Sequence, residues 1–171
     1  YMHISVIFIM LAFAVMKIHT GSYDFTDFAD LLNQNGKLAK TVFMLAFIGF
    51  GTKAGFIPFH NWLPDAHPAA PSHVSGIMSG VMIKTGIYGI LRMLYISGVN
   101  SKFIAYTVLT VSVISALWGV LYAISQHDIK RLLAYHSIEN IGIIGIGTGI
   151  GLLGIVYSNS YMAAFGFAGA I

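Results

Sequence analysis

Three ionisable residues interrupt long apolar stretches of this 171-residue chain. Lys53 lies in "MLAFIGFGTKAGFI", Lys84 in "SGIMSGVMIKTGIYGIL", and Glu139 in "LLAYHSIENIGIIG", three residues after His136. A charge at the centre of a bilayer costs roughly 2.5–3.5 kcal/mol unless it faces protein, water or a counter-charge. Such residues mark ion pathways and proton relays in membrane proteins, so we expect Lys53 and Lys84 to exchange protons through water, with His136 and Glu139 on or near an entry path.

A purely structural role is the alternative for each of these residues. A buried ion pair can hold two helices together, and a Lys near a helix end can extend its side chain to the headgroups. Lys84 has about two turns of apolar residues on each side, which disfavours the second explanation. Burial and a neighbouring charge act on the titration of such groups, so a buried Lys beside a switchable partner can bind and release a proton near neutral pH.

The segment "GFGTKAGFIPFHNWLPDAHPAAPSH", residues 49–73, holds all four prolines of the chain. Glycines on both sides of Lys53, followed by Pro58, favour a break in the helix beside the lysine. Interrupted helices are tolerated in a membrane where they line a cavity. The alternative is that the prolines merely end the helix, which leaves the glycines unexplained. We expect Asp65 to cap or pair locally. The expected helix-break and loop residues are Gly51, Gly55, Pro58, Pro64, Asp65, His67, Pro71 and His73.

Three histidines of this segment, His60, His67 and His73, raise the possibility of a metal site. They are seven and six residues apart, prolines interrupt any shared helix face, and the chain has no cysteine. Hydrogen bonding or proton entry at the loop fits this pattern better than metal binding.

The run "GIIGIGTGIGLLG", residues 142–154, is rich in glycine. A phosphate-binding loop would need a preceding strand and a following GK[ST], and neither is present. The spacing instead predicts close helix packing through Gly145 and Gly149, or through Gly147 and Gly151.

The composition is that of an integral membrane protein. Hydrophobic residues make up 57% of the chain and charged residues 9%, with a mean hydropathy of +0.79, whereas soluble domains carry about 25% charged residues. The net charge of +3 is scattered along the chain, which argues against nucleic-acid binding. The absence of cysteine excludes disulfides and thiolate-bound metal centres in this chain. Both ends look cut, so we expect a piece of a longer protein.

Apolar segments long enough to cross a bilayer predict an all-α transmembrane bundle of about five to six spans, with one discontinuous helix near Lys53–Pro58. A short amphipathic stretch, about residues 24–34, predicts a helix lying at the interface. The whole chain, residues 1–171, is expected to be the central fragment of one proton-translocating transmembrane domain. The predicted spans are about residues 1–19, 38–58, 72–97, 103–126, 132–157 and, truncated, 159–171.

Two long motifs carry a family resemblance. "GFGTKAGFIPFHNWLPDAHPAAPSHVSGIMSGVMIKTGIYGILR" and "DIKRLLAYHSIENIGII" together resemble the antiporter-like, proton-translocating membrane subunits of respiratory complex I, Mrp-type cation/proton antiporters and membrane-bound hydrogenases. The resemblance covers nearly the whole chain, and residues 38–157 most strongly. "HPAAPSH", "SGVMIKTGIYG" and "HSIENIGI" are most similar to the large membrane subunit of formate hydrogenlyase and related group 4 membrane hydrogenases.

The resemblance implies two inverted repeats of five helices, each with one broken helix. Lys53 matches the broken-helix lysine, and Lys84 matches the position where several members carry a second lysine. Ser79 falls where some complex I members have a histidine. The glutamate that pairs with the broken-helix lysine would precede Tyr1, and the second repeat would follow Ile171.

These features predict proton translocation across an energy-converting cell (inner) membrane by a subunit of a redox-driven complex. No cofactor is expected in this chain, because the resemblance assigns NiFe and iron–sulfur centres to partner subunits. The expected partners are other membrane subunits, a peripheral redox arm, protons and the lipid bilayer. One alternative is a subunit of a multisubunit Na⁺/H⁺ antiporter without a redox partner. Another is a structural anchor whose charges serve only as ion pairs.

Overall fold

The computed structural model describes residues 2–98 and 101–170, and this part of the chain is helical, without strands. The predicted all-α fold is therefore confirmed. The elements are α1 (Met2–Thr20), α2 (Phe25–Gln34), α3 (Gly36–Ala54), α4 (Trp62–Ala69), α5 (Ser72–Ile77), the π turn (Met78–Met82), α6 (Ile83–Ser97), α7 (Lys102–Ile124), α8 (Ile129–Val156) and α9 (Ser160–Ala168). Helix α5, the π turn and α6 form one continuous helix over Ser72–Ser97.

Four helices of the described part of the chain are long and apolar enough to cross a membrane: α1, the continuous Ser72–Ser97 helix, α7 and α8. Two further predicted spans correspond to helices that are not among these four. Residues 38–58 correspond to α3, which is 19 residues long but includes three lysines, and residues 159–171 correspond to α9, which has nine residues. Helix α8 starts earlier than expected because the Asp128 carboxylate accepts a hydrogen bond from Lys130 N at 2.8 Å and caps it.

Helix α3 ends at Ala54, directly after Lys53 and within the region where the sequence predicts a break. Gly55 follows with φ +89°, a conformation that favours glycine and commonly ends helices. The connection expected at residues 58–71 proves to contain a helix, α4. Its Pro64 is accommodated because it lies in the first turn, where a backbone N–H has no partner within the helix.

The described chain divides into two compact units, the first built mainly from α1, α2, α3 and α6. In this unit the phenyl ring of Phe13 lies 6.4 Å from those of Phe25 and Phe28, centroid to centroid, which attaches α2 to α1. The predicted amphipathic helix is present, with Phe28 and Leu32 buried. Ser5 donates a 2.7 Å hydrogen bond to the carbonyl of Gly49, so α1 and α3 approach closely there.

The second unit is built mainly from α4, α5, the π turn, α7, α8 and α9, and α8 packs against α4, α7 and α9. Both predicted glycine pairs of α8 form close packing surfaces. A Cβ at Gly149 would lie 2.9 Å from Leu109 Cα of α7, and Gly145 also faces that helix. A Cβ at Gly147 or Gly151 would instead collide with α9. The two faces of the glycine run thus serve two different neighbours.

Candidate functional site

Two neighbouring cavities of the second unit lie between residues 72–84 and helix α8. The first has a volume of about 680 Å³ and extends from His67 to Asn140, with serines from both sides in its lining. The second, of about 310 Å³, extends from the same place to Lys84. We call the two cavities together the polar groove. The residues common to both linings are Ser79, Gly80, Ser137 and Asn140.

A pair of serine hydroxyls bridges the two walls of the groove where the cavities meet. The Oγ atoms of Ser79 and Ser137 are 2.9 Å apart. Ser137 uses its single hydrogen to donate to the carbonyl of Leu133 at 3.0 Å, so Ser79 must be the donor of the bridging bond. The two hydroxyls therefore form a hydrogen-bonded link between the walls where the two cavities meet.

The π turn Met78–Met82 carries Ser79 and Gly80 into this shared section. Single π turns inside α-helices are rare and frequently occur at functional sites. The turn immediately precedes α6, whose second residue is Lys84. The local change of helix register is thus located between the bridging serine and the lysine.

Lys84 lies near the middle of the 26-residue Ser72–Ser97 helix and lines the second cavity. Its side chain is exposed in this chain, and within residues 2–98 and 101–170 it forms no ion pair. A lysine at this depth of a spanning helix avoids the cost of burial in lipid where it faces protein, water or a counter-charge. A structural ion pair for Lys84 therefore finds no support among the described residues.

His67 closes the loop end of the first cavity, from the last turn of α4. Its side chain is 2% exposed, and its Nδ1 lies 2.5 Å from Ser75 Oγ. The buried Nε2 has no hydrogen-bond partner among the described residues. His67 lies outside the four candidate spans, and burial lowers the pKa of its imidazole, which favours the neutral ring. The neutral ring presents a lone pair at Nε2 where Nδ1 donates to Ser75 Oγ, and an N–H group at Nε2 where Nδ1 accepts from it.

His136 and Glu139 form a hydrogen-bonded pair on α8, with 2.7 Å between Nδ1 and Oε2. Their spacing of three residues keeps both side chains on one face of the helix. His136 lines the first cavity together with Ser137 and Asn140. The structure therefore brings His136 and Lys84, two of the predicted proton-carrying residues, to the same groove.

Lys53 is the penultimate residue of α3 and is half-buried. It belongs to the first unit, and no described residue forms an ion pair with it. Its predicted role in the relay is therefore an inference from the sequence alone.

The remaining predicted loop residues occupy varied positions. Asp65 pairs with Arg131 at 3.8 Å across to α8, and not locally as expected, because the first turn of α4 directs it outward. Within residues 2–98 and 101–170, no group of three or more His, Asp or Glu side chains is arranged to hold a metal ion. Gly51, Gly55 and Pro64 are buried, whereas Pro58, Pro71 and His73 are exposed.

Sequence reasoning missed Ser75, Ser137 and Asn140 as groove residues, and it gave Ser79 no role. A signal was present in α8, where Leu133, His136, Ser137 and Asn140 recur at helical spacing and so share one face. The partner face on residues 72–84 carries Ser72, Ser75 and Ser79. Two facing polar stripes at membrane depth would have indicated a groove.

These features define a polytopic helical membrane protein with a polar groove leading to a mid-helix lysine. The sequence model of the family described as "NADH:quinone oxidoreductase/Mrp antiporter, TM" matches residues 1–171. The chain belongs to this transmembrane family and is an integral membrane protein.

Curated relatives and solved structures agree with this assignment. The chain is 46% identical to hydrogenase-4 component B of Escherichia coli over 99% of its own length and 25% of that protein. It is 39% identical to formate hydrogenlyase subunit 3 of the same organism, over 83% of its length and 23% of that protein. It therefore spans about a quarter of these relatives. The fold matches a chain of an archaeal membrane-bound sulfane sulfur reductase with a TM-score of 0.77 at 23% identity, covering 99% of this chain and 38% of that one.

Proposed function

We propose that this chain is the central part of a subunit that translocates protons across a cell (inner) membrane within a redox-driven complex. The observation that carries the proposal is the polar groove, which connects His67 at the loop to Lys84 at mid-helix. Family membership and the names of the two Escherichia coli relatives support it, because both are components of hydrogen-metabolising complexes by name.

The groove supplies each element that proton movement needs. His67 and His136 offer ring nitrogens at the wider cavity, and the Ser79–Ser137 bridge connects that cavity to the one with Lys84. The volumes of about 680 and 310 Å³ are large enough for several waters, each of which occupies about 30 Å³ in the liquid. Lys84 then accepts and releases the proton near the middle of the span. Lys53, paired with a glutamate outside this chain, is proposed as the next member of the relay.

The driving reaction belongs to partner subunits in this proposal. The NiFe and iron–sulfur centres of a hydrogenase-type complex would lie in those partners, and this chain would contribute only the proton path. Other membrane subunits and a peripheral redox arm are the proposed partners.

Replacing Lys84 tests the proposal directly. In the full-length protein, assembled with its partner subunits in proteoliposomes, we expect Lys84→Met to lower proton translocation by about a hundredfold or more, since the titrating group is removed. Lys40→Met, at an exposed lysine of α3, is the matched control and should translocate protons at the wild-type rate. Undiminished translocation by an assembled Lys84→Met complex would contradict the proposed function.

A Na⁺/H⁺ antiporter subunit is the second candidate, because the family description names the Mrp antiporter as well. It would carry out the same proton movement without a redox partner. A sodium gradient alone, imposed on proteoliposomes that contain the full assembly, should drive proton movement under this alternative and not under the first.

A further inference from the structure

We propose that His136 and Glu139 act as one proton-accepting dyad on the wall of the first cavity. In this dyad His136 Nε2 exchanges a proton with groove water, and Glu139 is a positioning residue that holds the imidazole in one orientation and one tautomer. The inference rests on the proposed function, because it gives a role to a second site beside the path to Lys84.

The hydrogen bond between the two side chains fixes which ring nitrogen is available. In the proposed dyad Glu139 is ionised, and an ionised carboxylate only accepts hydrogen bonds, so Nδ1 of His136 is the donor across the 2.7 Å contact. The neutral imidazole then carries its proton on Nδ1 and a lone pair on Nε2. A carboxylate behind the ring also stabilises the imidazolium that forms on proton uptake, as in other histidine–carboxylate pairs.

The exposure of the two side chains indicates the direction of proton exchange. The His136 side chain is 49% exposed and lines the first cavity, whereas that of Glu139 is 23% exposed and is absent from the cavity lining. The carboxylate therefore lies behind the imidazole, away from the groove. Helix α7 packs closely against α8 behind the dyad because Gly119 has no side chain. A Cβ at Gly119 would lie only 2.7 Å from Glu139 N.

Proton uptake and release at the dyad change one bond only. The Nε2 lone pair of His136 takes a proton from a hydronium ion in the groove, so an N–H bond forms while an O–H bond breaks and a water molecule remains. The reverse transfer to a groove water breaks the N–H bond and forms hydronium again. The other charged or titratable side chains along the groove are His67 and Lys130 in the first cavity and Lys84 in the second. Lys130 is held by the carbonyl of Ala70 at 2.8 Å.

Two substitutions at Glu139 separate positioning from general structural effects. In the full-length protein assembled with its partners, we expect His136→Gln and Glu139→Leu each to lower proton translocation by about tenfold. This is less than the effect of removing a positioned general acid or base, because the path to Lys84 remains. Glu139→Gln keeps an oxygen that can accept from Nδ1–H, so it should lose less activity than Glu139→Leu. His127→Gln, at an exposed histidine in the turn before α8, is the control and should be unaffected.

A nitrogen-15 NMR spectrum of His136 distinguishes the two neutral tautomers from each other and from the imidazolium. The Nδ1-protonated form should dominate in the wild type and in Glu139→Gln, and a mixture of tautomers should appear in Glu139→Leu. The double variant His136→Gln/Glu139→Leu should translocate protons no more slowly than either single variant, because both substitutions disable one unit.

The outcomes distinguish this inference from the proposed function. Wild-type translocation by His136→Gln, together with loss of translocation in Lys84→Met, would overturn the dyad and leave the proposed function standing. Additive losses in the double variant would also overturn the dyad. Wild-type translocation by both His136→Gln and Lys84→Met would overturn the proposed function itself.

Discussion

The two halves of helix α8 use the same helical spacing for opposite purposes. In the first half, His136, Ser137 and Asn140 face residues 72–84 across a groove. In the second half, glycines from Gly142 to Gly154 bring α7 and α9 to within direct backbone contact. Small residues thus close one part of the helix surface, whereas polar side chains line a cavity at another part. A single helix is therefore both the packing centre for α7 and α9 and one wall of the groove.

The largest expected effect comes from adding one methyl group to the closed half. A Cβ at Gly142 would lie 2.7 Å from Ala116 Cα, so Gly142→Ala must push α7 and α8 apart and should cost about 1–3 kcal/mol or more of stability. In Gly80→Ala, in the π turn that faces the open half of α8 across the groove, the added methyl group meets no atom within 4 Å and should not destabilise the protein. Thermal unfolding of the two full-length variants in detergent measures the difference. Equal melting temperatures would show that the glycine surface is not tightly packed.

A smaller effect is expected from removing one hydroxyl in each region. Ser137→Ala removes the bridge to Ser79 and should slow proton translocation by about tenfold, with little change in stability. Ser115→Ala on α7 removes the acceptor of a 3.1 Å hydrogen bond from Ile57 N and should cost about 1–3 kcal/mol of stability.

Ser137→Ala should therefore change the translocation rate and Ser115→Ala the stability. Translocation rates and unfolding temperatures of both full-length serine variants test this. Assembled Ser115→Ala should translocate protons at the wild-type rate. A normal rate in Ser137→Ala would remove the serine bridge from the path.

Local sequence features predicted the helices well where one residue decides the boundary. The predicted span 72–97 has the observed bounds of its helix, which Pro71 precedes. The break after Lys53 was predicted from the glycines around this lysine and from Pro58, and the structure shows that Gly55 adopts a positive φ there. Helix α4 was missed because prolines were taken as breakers, although Pro64 lies in the first turn where proline is tolerated.

The groove could be predicted only in part. Lys84 and His136 were identifiable because a charged or titratable side chain in an apolar run is costly without a role. The Ser79–Ser137 bridge joins residues 58 positions apart, and serine is common enough in helices that its partner cannot be read from one stretch of sequence. The π turn was also invisible, since a change of hydrogen-bond register within a helix leaves no distinct residue pattern.

Water access to the groove is the most direct test of the central claim that a hydrated path reaches Lys84. Gly80 and Val81 are neighbours in the π turn at the same depth, but only Gly80 lines the two cavities. In a full-length chain without other cysteines, a membrane-impermeant thiol reagent should label Gly80→Cys much faster than Val81→Cys, because the reactive thiolate forms only in water. Equal, slow labelling of both positions would contradict the account.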